Sequence, residues 1–109
     1  MRYAVIDVDG TIEVLQTKAL TRGVIMSHIG QDFEGLPTPE HLNLSVFGAD
    51  TRTSPDGQRL RMNTKATHLL QDAMWPGDHV VGPVVISGPA DEDGESTDLD
   101  PSLIGIEDE

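Results

Sequence analysis

The sequence contains no cysteine and few aromatic or basic residues. Its 109 residues include one Trp, one Tyr and two Phe, and seven Lys and Arg stand against 19 Asp and Glu. The absence of cysteine excludes disulfides, thiolate metal ligands and a cysteine nucleophile. No apolar run reaches the roughly 20 residues that cross a bilayer, and the first residues lack the apolar region of a secretory signal. We therefore expect one small cytoplasmic domain that does not contact a membrane.

The negative charge is concentrated at the C-terminus. Residues 90–109 carry nine acidic and no basic side chains, whereas residues 1–89 carry ten acidic and seven basic ones. This distribution predicts a folded domain over 1–89 and an acidic, flexible tail over 90–109. The aliphatic residues of the tail leave a second possibility open, that it docks on a partner or back onto its own domain; they are Leu99, Leu103, Ile104 and Ile106. Direct contact with nucleic acid is not expected from so acidic a chain.

The first 16 residues have the pattern of a β-hairpin. Residues 3–8 and 11–16 are rich in β-branched side chains and flank Asp9-Gly10. Asp-Gly suits a type I′ turn, in which both central residues have positive φ.

The rest of the chain predicts a mixture of helix and strand. The expected elements are a helix over 17–29, a loop over 31–43, strands over 44–49 and 79–87, an extended piece over 59–62, and a helix capped by Asn63. The sum is an α+β fold: a small, mainly antiparallel sheet with two helices packed on one face. Tyr3 and Trp75 are expected to anchor its packing, because aromatics are scarce.

Residues 4–12 resemble the first motif of haloacid-dehalogenase-like phosphohydrolases, in which a strand ends in Asp-x-Asp-Gly-Thr. The resemblance implies that Asp7 is the nucleophile, that Asp9 is the general acid and base, and that Mg²⁺ shields the phosphate. Ser87 ends a strand as the second motif of that family does. However, both lysines of the chain precede Ser87, whereas the family places one after it, and residues 12–14 alternate as a strand does. A magnesium-dependent phosphohydrolase remnant is therefore the alternative function.

Other candidate chemistry is limited to two groups of charged residues. The four histidines lack metal-ligand spacing. Neither the segment around Asp7 and Asp9 nor residues 91–95 complete a calcium-binding loop, so we expect no metal and no cofactor. The basic group either pairs with neighbouring acids or binds an anionic ligand or partner. The candidate binding residues are Arg59, Arg61, Lys65, Asp91, Glu92 and Asp93.

The C-terminal half resembles the family called domain of unknown function 3846, which comprises short proteins of bacteria and their phages. The resemblance lies in residues 57–74 and in the strand from Gly82 to Gly88, and Asn63, Ala66 and Thr67 fall on its Asn-x-x-Ala-Thr pattern. It implies the same α+β architecture and a phage or mobile-element setting, and it supplies no catalytic residues. We therefore expect a non-enzymatic module that binds an unknown protein, such as a host factor or defence modulator, as a monomer or homodimer.

Overall fold

A computed structural model describes residues 1–105, so predictions for Ile106 and for the acidic residues 107–109 lie outside the described residues. The strands are β1 (Arg2–Ile6), β2 (Ile12–Gln16), β3 (Phe33–Leu36), β4 (Ser45–Ala49) and β5 (Val84–Ser87). The helices are α1 (Arg22–Ile29) and α2 (Thr64–Leu70), with short 3₁₀ turns at Glu40–Leu42, Gln71–Ala73 and Pro101–Ile104. Along residues 1–105, each helix is too short to pass through a bilayer.

The five strands form one antiparallel sheet in the order β2-β1-β5-β4-β3. β5 lies at its centre, where all four of its residues are buried. Its run of β-branched side chains suits a strand that is covered on both faces. The predicted α+β class, with an antiparallel sheet and an N-terminal hairpin, is confirmed.

The hairpin turn differs from the predicted type I′ turn. Asp7 N donates to Thr11 O at 2.9 Å, and Gly10 N donates to Asp7 O at 3.0 Å. Gly10 has φ +90°, whereas Asp9 does not have positive φ. The turn therefore spans Asp7 to Gly10, and only its last residue needs the left-handed conformation, as in a type I turn followed by a glycine bulge.

The two helices pack on opposite faces of the sheet, so the prediction that both lie on one face is wrong. Successive strand residues point to opposite faces, and β1 and β5 are apolar on both. On one face, α1 packs through Ile25 and Ile29 against a cluster containing Tyr3 and Val85. On the other, α2 joins a larger cluster whose buried members are Ala4, Ile6, Leu44, Val46, Ala66, Leu70, Val80, Val84, Ile86 and Leu99.

Asn63 caps α2, as predicted, and also ties it to the sheet. Its side-chain oxygen accepts from Ala66 N at 3.1 Å, while its amide nitrogen donates to Ile6 O and Gly82 O, both at 2.9 Å. The side chain is fully buried and fully hydrogen-bonded, which is what a polar group needs in a core.

The packed structure does not end at residue 89, where the sequence placed the domain boundary. Gly88 N donates to Thr97 O at 2.9 Å, and Leu99 N donates to Arg2 O at 3.1 Å. Leu99 is fully buried, and Leu103 and Ile104 pack against the same cluster as α2. Of the two possibilities for the tail, these three aliphatic residues therefore dock back onto their own domain, where they cover sheet surface that α2 leaves open.

Three local predictions also need correction. The first helix begins at Arg22 rather than residue 17, with Thr21 as its cap, although it ends at Gly30 as expected. The predicted loop over 31–43 contains β3. The extended piece over 59–62 makes only isolated bridges, one from Arg59 to Thr53 and one from Met62 to Val81.

Candidate functional site

Two of the predicted basic residues, Arg61 and Lys65, lie beside the hairpin turn, whereas Arg59 bridges to Thr53. Arg59, Arg61 and Lys65 are all exposed. Lys65 lies next to Gly10, where an added Cβ would be 3.7 Å from the lysine Cε. Thr11 donates backbone and hydroxyl hydrogen bonds to the Asp9 carboxylate and lowers its pKa, and the positive charge of Arg61 lowers that pKa further. The surface here is therefore of mixed sign, with acidic and basic groups facing each other.

The two aspartates of the hydrolase-like motif bind their own turn. Asp7 Oδ1 accepts from Val8 N at 2.7 Å, and Asp9 Oδ1 accepts from Thr11 N at 2.8 Å. β1 is flanked by antiparallel strands on both sides, whereas the phosphohydrolase resemblance implies a parallel sheet. Ile6 pairs with Val84, so Asp7 lies one residue beyond that pair and about 13 Å of strand separates it from Ser87. The two motif-like segments are not brought together at one sheet edge.

The predicted acidic residues form a separate loop, which we call the acidic loop (residues 91–95). Asp91 Oδ1 accepts from Asp93 N and from Glu95 N, both at 2.9 Å, while Glu92 is exposed. The chain continues from this loop to Asp98, which accepts from Arg2 N at the start of β1. Arg61 and Lys65 lie beyond the other end of β1, so the structure does not bring them together with the predicted acidic residues. In the described part of the chain, no three His, Asp or Glu side chains are placed to share a metal ion.

Among residues 1–105, the most exposed large apolar residue is Trp75, which was expected to anchor the packing. Its exposed fraction is 82%, compared with 5% for Tyr3, the aromatic anchor that is confirmed. Trp75 opens a turn in which Asp78 N donates to Trp75 O at 3.0 Å and Gly77 has φ +86°. We call residues 75–78 the Trp75 turn. The Pro76-Gly77 pair was the available signal, because it marks a turn at the surface rather than a buried element.

A cavity of about 290 Å³ opens beside this turn. We call it the β3 cavity; its lining residues are Glu34, Leu36, Pro37, Gly48, Ala49, Asp50, Thr51, Arg52, Met74, Asp78, His79, Val80 and Val81. Met74 and Asp78 also line the depression that contains Trp75, so the cavity and the turn share one continuous surface.

Arg52 organises the polar side of the β3 cavity. Its guanidinium lies 3.3 Å from Asp78 Oδ1, 3.1 Å from His79 Nε2 and 3.2 Å from the His79 carbonyl oxygen. The cavity also has apolar lining residues, of which Leu36 and Met74 are half-buried and Val80 is buried. A cavity with an apolar wall and a few converging polar groups is the usual form of a binding site.

Comparison of the chain with family models, with curated proteins and with solved structures finds no match.

Proposed function

We propose that this chain is a non-enzymatic protein-binding module of the cytoplasm whose contact surface centres on Trp75. The observation that carries the proposal is the exposure of the single tryptophan, 82% of which faces solvent. Exposing an indole is costly in water, and burying it against a partner recovers that free energy. Tryptophan is also among the residues that most often dominate binding at protein interfaces.

The local structure supports this assignment. The Trp75 turn is fixed by its internal hydrogen bond and by Pro76, so little backbone freedom would be lost on binding. Asp72, Asp78 and the β3 cavity surround the turn and provide a polar rim. An aromatic centre with a polar rim is the general form of a protein interface. A host factor is the partner we favour, since the family that the chain resembles implies a phage setting.

Affinity capture tests the proposal. The full chain is immobilised and exposed to a lysate of the cells that carry its gene, next to the variants Trp75→Ala and Val14→Ala. Val14, 37% exposed, lies on β2 at the opposite edge of the sheet and serves as the matched control. We expect a protein that wild type and Val14→Ala retain and Trp75→Ala loses, with affinity for the purified partner reduced about 30-fold, as for a hot-spot residue.

A third variant separates the contribution of the acidic loop. Glu92→Gln with Asp93→Asn removes two charges and leaves the Asp91 hydrogen bonds in place. If this variant loses the partner while Trp75→Ala keeps it, the contact centres on the loop, and the proposal for Trp75 is wrong. Failure to retain any protein specifically would contradict the binding function itself.

A further inference from the structure

The β3 cavity has a charge imbalance that indicates what it binds. Its lining contains three carboxylates, those of Glu34, Asp50 and Asp78, and a single guanidinium, that of Arg52. Arg52 is already bound to Asp78. Across residues 1–105, the exposed carboxylates of Glu34 and Asp50 make no ion pair. The cavity therefore presents two uncompensated negative charges, which repel an anionic ligand and attract a cation.

The apolar wall restricts the type of cation. Leu36 and Met74 are among its apolar lining residues. Gly48 has no side chain, and this allows Leu36 to pack over it: a Cβ at Gly48 would lie 2.8 Å from Leu36 Cδ1. A small hydrated ion would gain nothing from this surface. A charged head on an aliphatic stem gains from both parts, since the stem packs on the apolar wall while the head meets the carboxylates.

The size of the cavity points to one side chain rather than a larger molecule. Its volume of about 290 Å³ is at the lower end of the range for ligand pockets, roughly 300–1,000 Å³. It opens on the same surface as Trp75. An indole face is a favourable neighbour for a guanidinium or ammonium group.

We propose that the β3 cavity binds an arginine or lysine side chain from a basic segment of the protein partner, with Glu34 and Asp50 holding the charged head and Leu36 and Met74 contacting the stem. This inference rests on the proposed function, because the partner that contacts Trp75 supplies the side chain. It explains why an acidic domain carries its exposed tryptophan next to unpaired carboxylates: the aromatic contact gives affinity, and the carboxylates select a basic segment.

The test uses small probes and the full chain. N-acetyl-arginine amide is titrated into ¹⁵N-labelled protein, and the backbone amides of residues 34, 50 and 79 and the single Trp75 indole signal are followed. N-acetyl-norleucine amide provides the stem without the charge. We expect saturable shifts at these positions with the arginine probe and none with the norleucine probe. Equal shifts from both probes, or no saturation below about 50 mM, would overturn the proposal.

Matched charge variants locate the site. Glu34→Gln with Asp50→Asn and Glu92→Gln with Asp93→Asn each remove two carboxylates, one pair at the β3 cavity and the other in the acidic loop. We expect the first variant to bind the arginine probe about tenfold more weakly, since two exposed ion pairs are removed, and the second to bind it as wild type does. Equal weakening in both would show that only net charge matters and would refute the site.

The two proposals fail in distinguishable ways. If Trp75→Ala loses the protein partner but the arginine probe does not bind, the ligand of the cavity is wrong and the binding function stands. If the probe binds but no partner depends on Trp75, the cavity is confirmed as a cation site and the function centred on Trp75 is contradicted.

Discussion

At the residue scale, Asn63 joins three parts of the fold. One side chain caps α2 and binds the last carbonyl of β1 and the carbonyl of Gly82, just before β5. These groups lie in the core, away from water, where a polar group needs a hydrogen-bond partner. The resemblance to a known family pointed to Asn63, but the sequence assigned it only the cap. The two longer-range bonds join residues 57 and 19 positions away, so no local pattern could reveal them.

We predict that Asn63→Ala lowers the free energy of unfolding by about 3 kcal/mol, since it removes a cap and two buried hydrogen bonds to backbone carbonyls. Urea denaturation measures this change. Asn63→Asp retains the cap acceptor but cannot donate to the carbonyls, so it should be at least as destabilising. Gln58→Ala, at an exposed position, is the control and should change stability by less than about 0.5 kcal/mol. If Asn63→Asp were as stable as wild type, the two carbonyl bonds would be unimportant.

At the scale of elements, local signals predicted the structure where the contacts are local. The β1–β2 hairpin and the α2 start depend on neighbouring residues, and both were predicted correctly. β3 was missed because it has four residues, two of them exposed, and is defined by pairing with β4. The prediction that both helices lie on one face of the sheet was wrong, because the pattern of apolar and polar residues does not say which of two apolar sheet faces a helix will cover.

The candidate site was also predictable only where its contacts are local along the chain. The Pro76-Gly77 pair marks a turn along the chain, yet the exposure of Trp75 depends on what surrounds it in space. The β3 cavity joins residues from 34 to 81, and nothing in the spacing of these residues indicates that they meet. The charged groups chosen from the sequence were clusters along the chain; the acidic one forms a local loop, and the structure does not bring it together with the basic one.

The hairpin turn is expected to make the free energy of unfolding depend on pH in the acid range, through the carboxylate of Asp9. Hydrogen bonds from Thr11 hold the pKa of Asp9 below its ordinary value of 3.8 in the folded state. A carboxylate with a lowered folded pKa stabilises the fold fully above its unfolded pKa, and this contribution is lost as the pH falls through the folded pKa. We predict that Asp9→Asn, which retains an acceptor for Thr11 N, loses less unfolding free energy than wild type as the pH falls below 3.8.

Urea midpoints between about pH 5 and pH 2 check this prediction. Part of the acid dependence should remain in the variant, because hydrogen bonds from Ser54 and Ser102 lower the pKa values of Asp56 and Asp100 as well. Glu92→Gln is the control, as its carboxylate accepts no hydrogen bond from residues 1–105 in this structure. An acid limb of unchanged steepness in Asp9→Asn would contradict the role of the turn.

At the scale of the whole molecule, the two faces of the sheet are covered in different ways. α1 covers one face, with Tyr3 and His28 sharing a hydrogen bond of 2.8 Å across the contact. α2 has only seven residues and covers part of the other face. The segment from Thr97 to Ile104 covers a further part of that face through Leu99, Leu103 and Ile104. The close approach of this segment explains Gly88, where a Cβ would lie 2.1 Å from Asp98 O. An acidic segment thus completes the core, because its few aliphatic residues are spaced to reach the sheet.

We predict that a chain ending at residue 96 is largely unfolded under conditions in which the full chain is folded. The shorter chain loses Leu99, Leu103 and Ile104 from the core, which removes about 4–6 kcal/mol of burial from a domain whose total stability is of the order of 5–15 kcal/mol. Thermal unfolding by circular dichroism compares the two. Gly88→Ala in the full chain should also lower Tm, because the added Cβ displaces the segment from Thr97 to Ile104. Gly35→Ala is the control and should leave Tm unchanged, since an added Cβ there meets nothing within 4 Å. If the chain ending at residue 96 kept the full Tm, these residues would be an accessory to the domain and its boundary would lie where the charge pattern alone placed it.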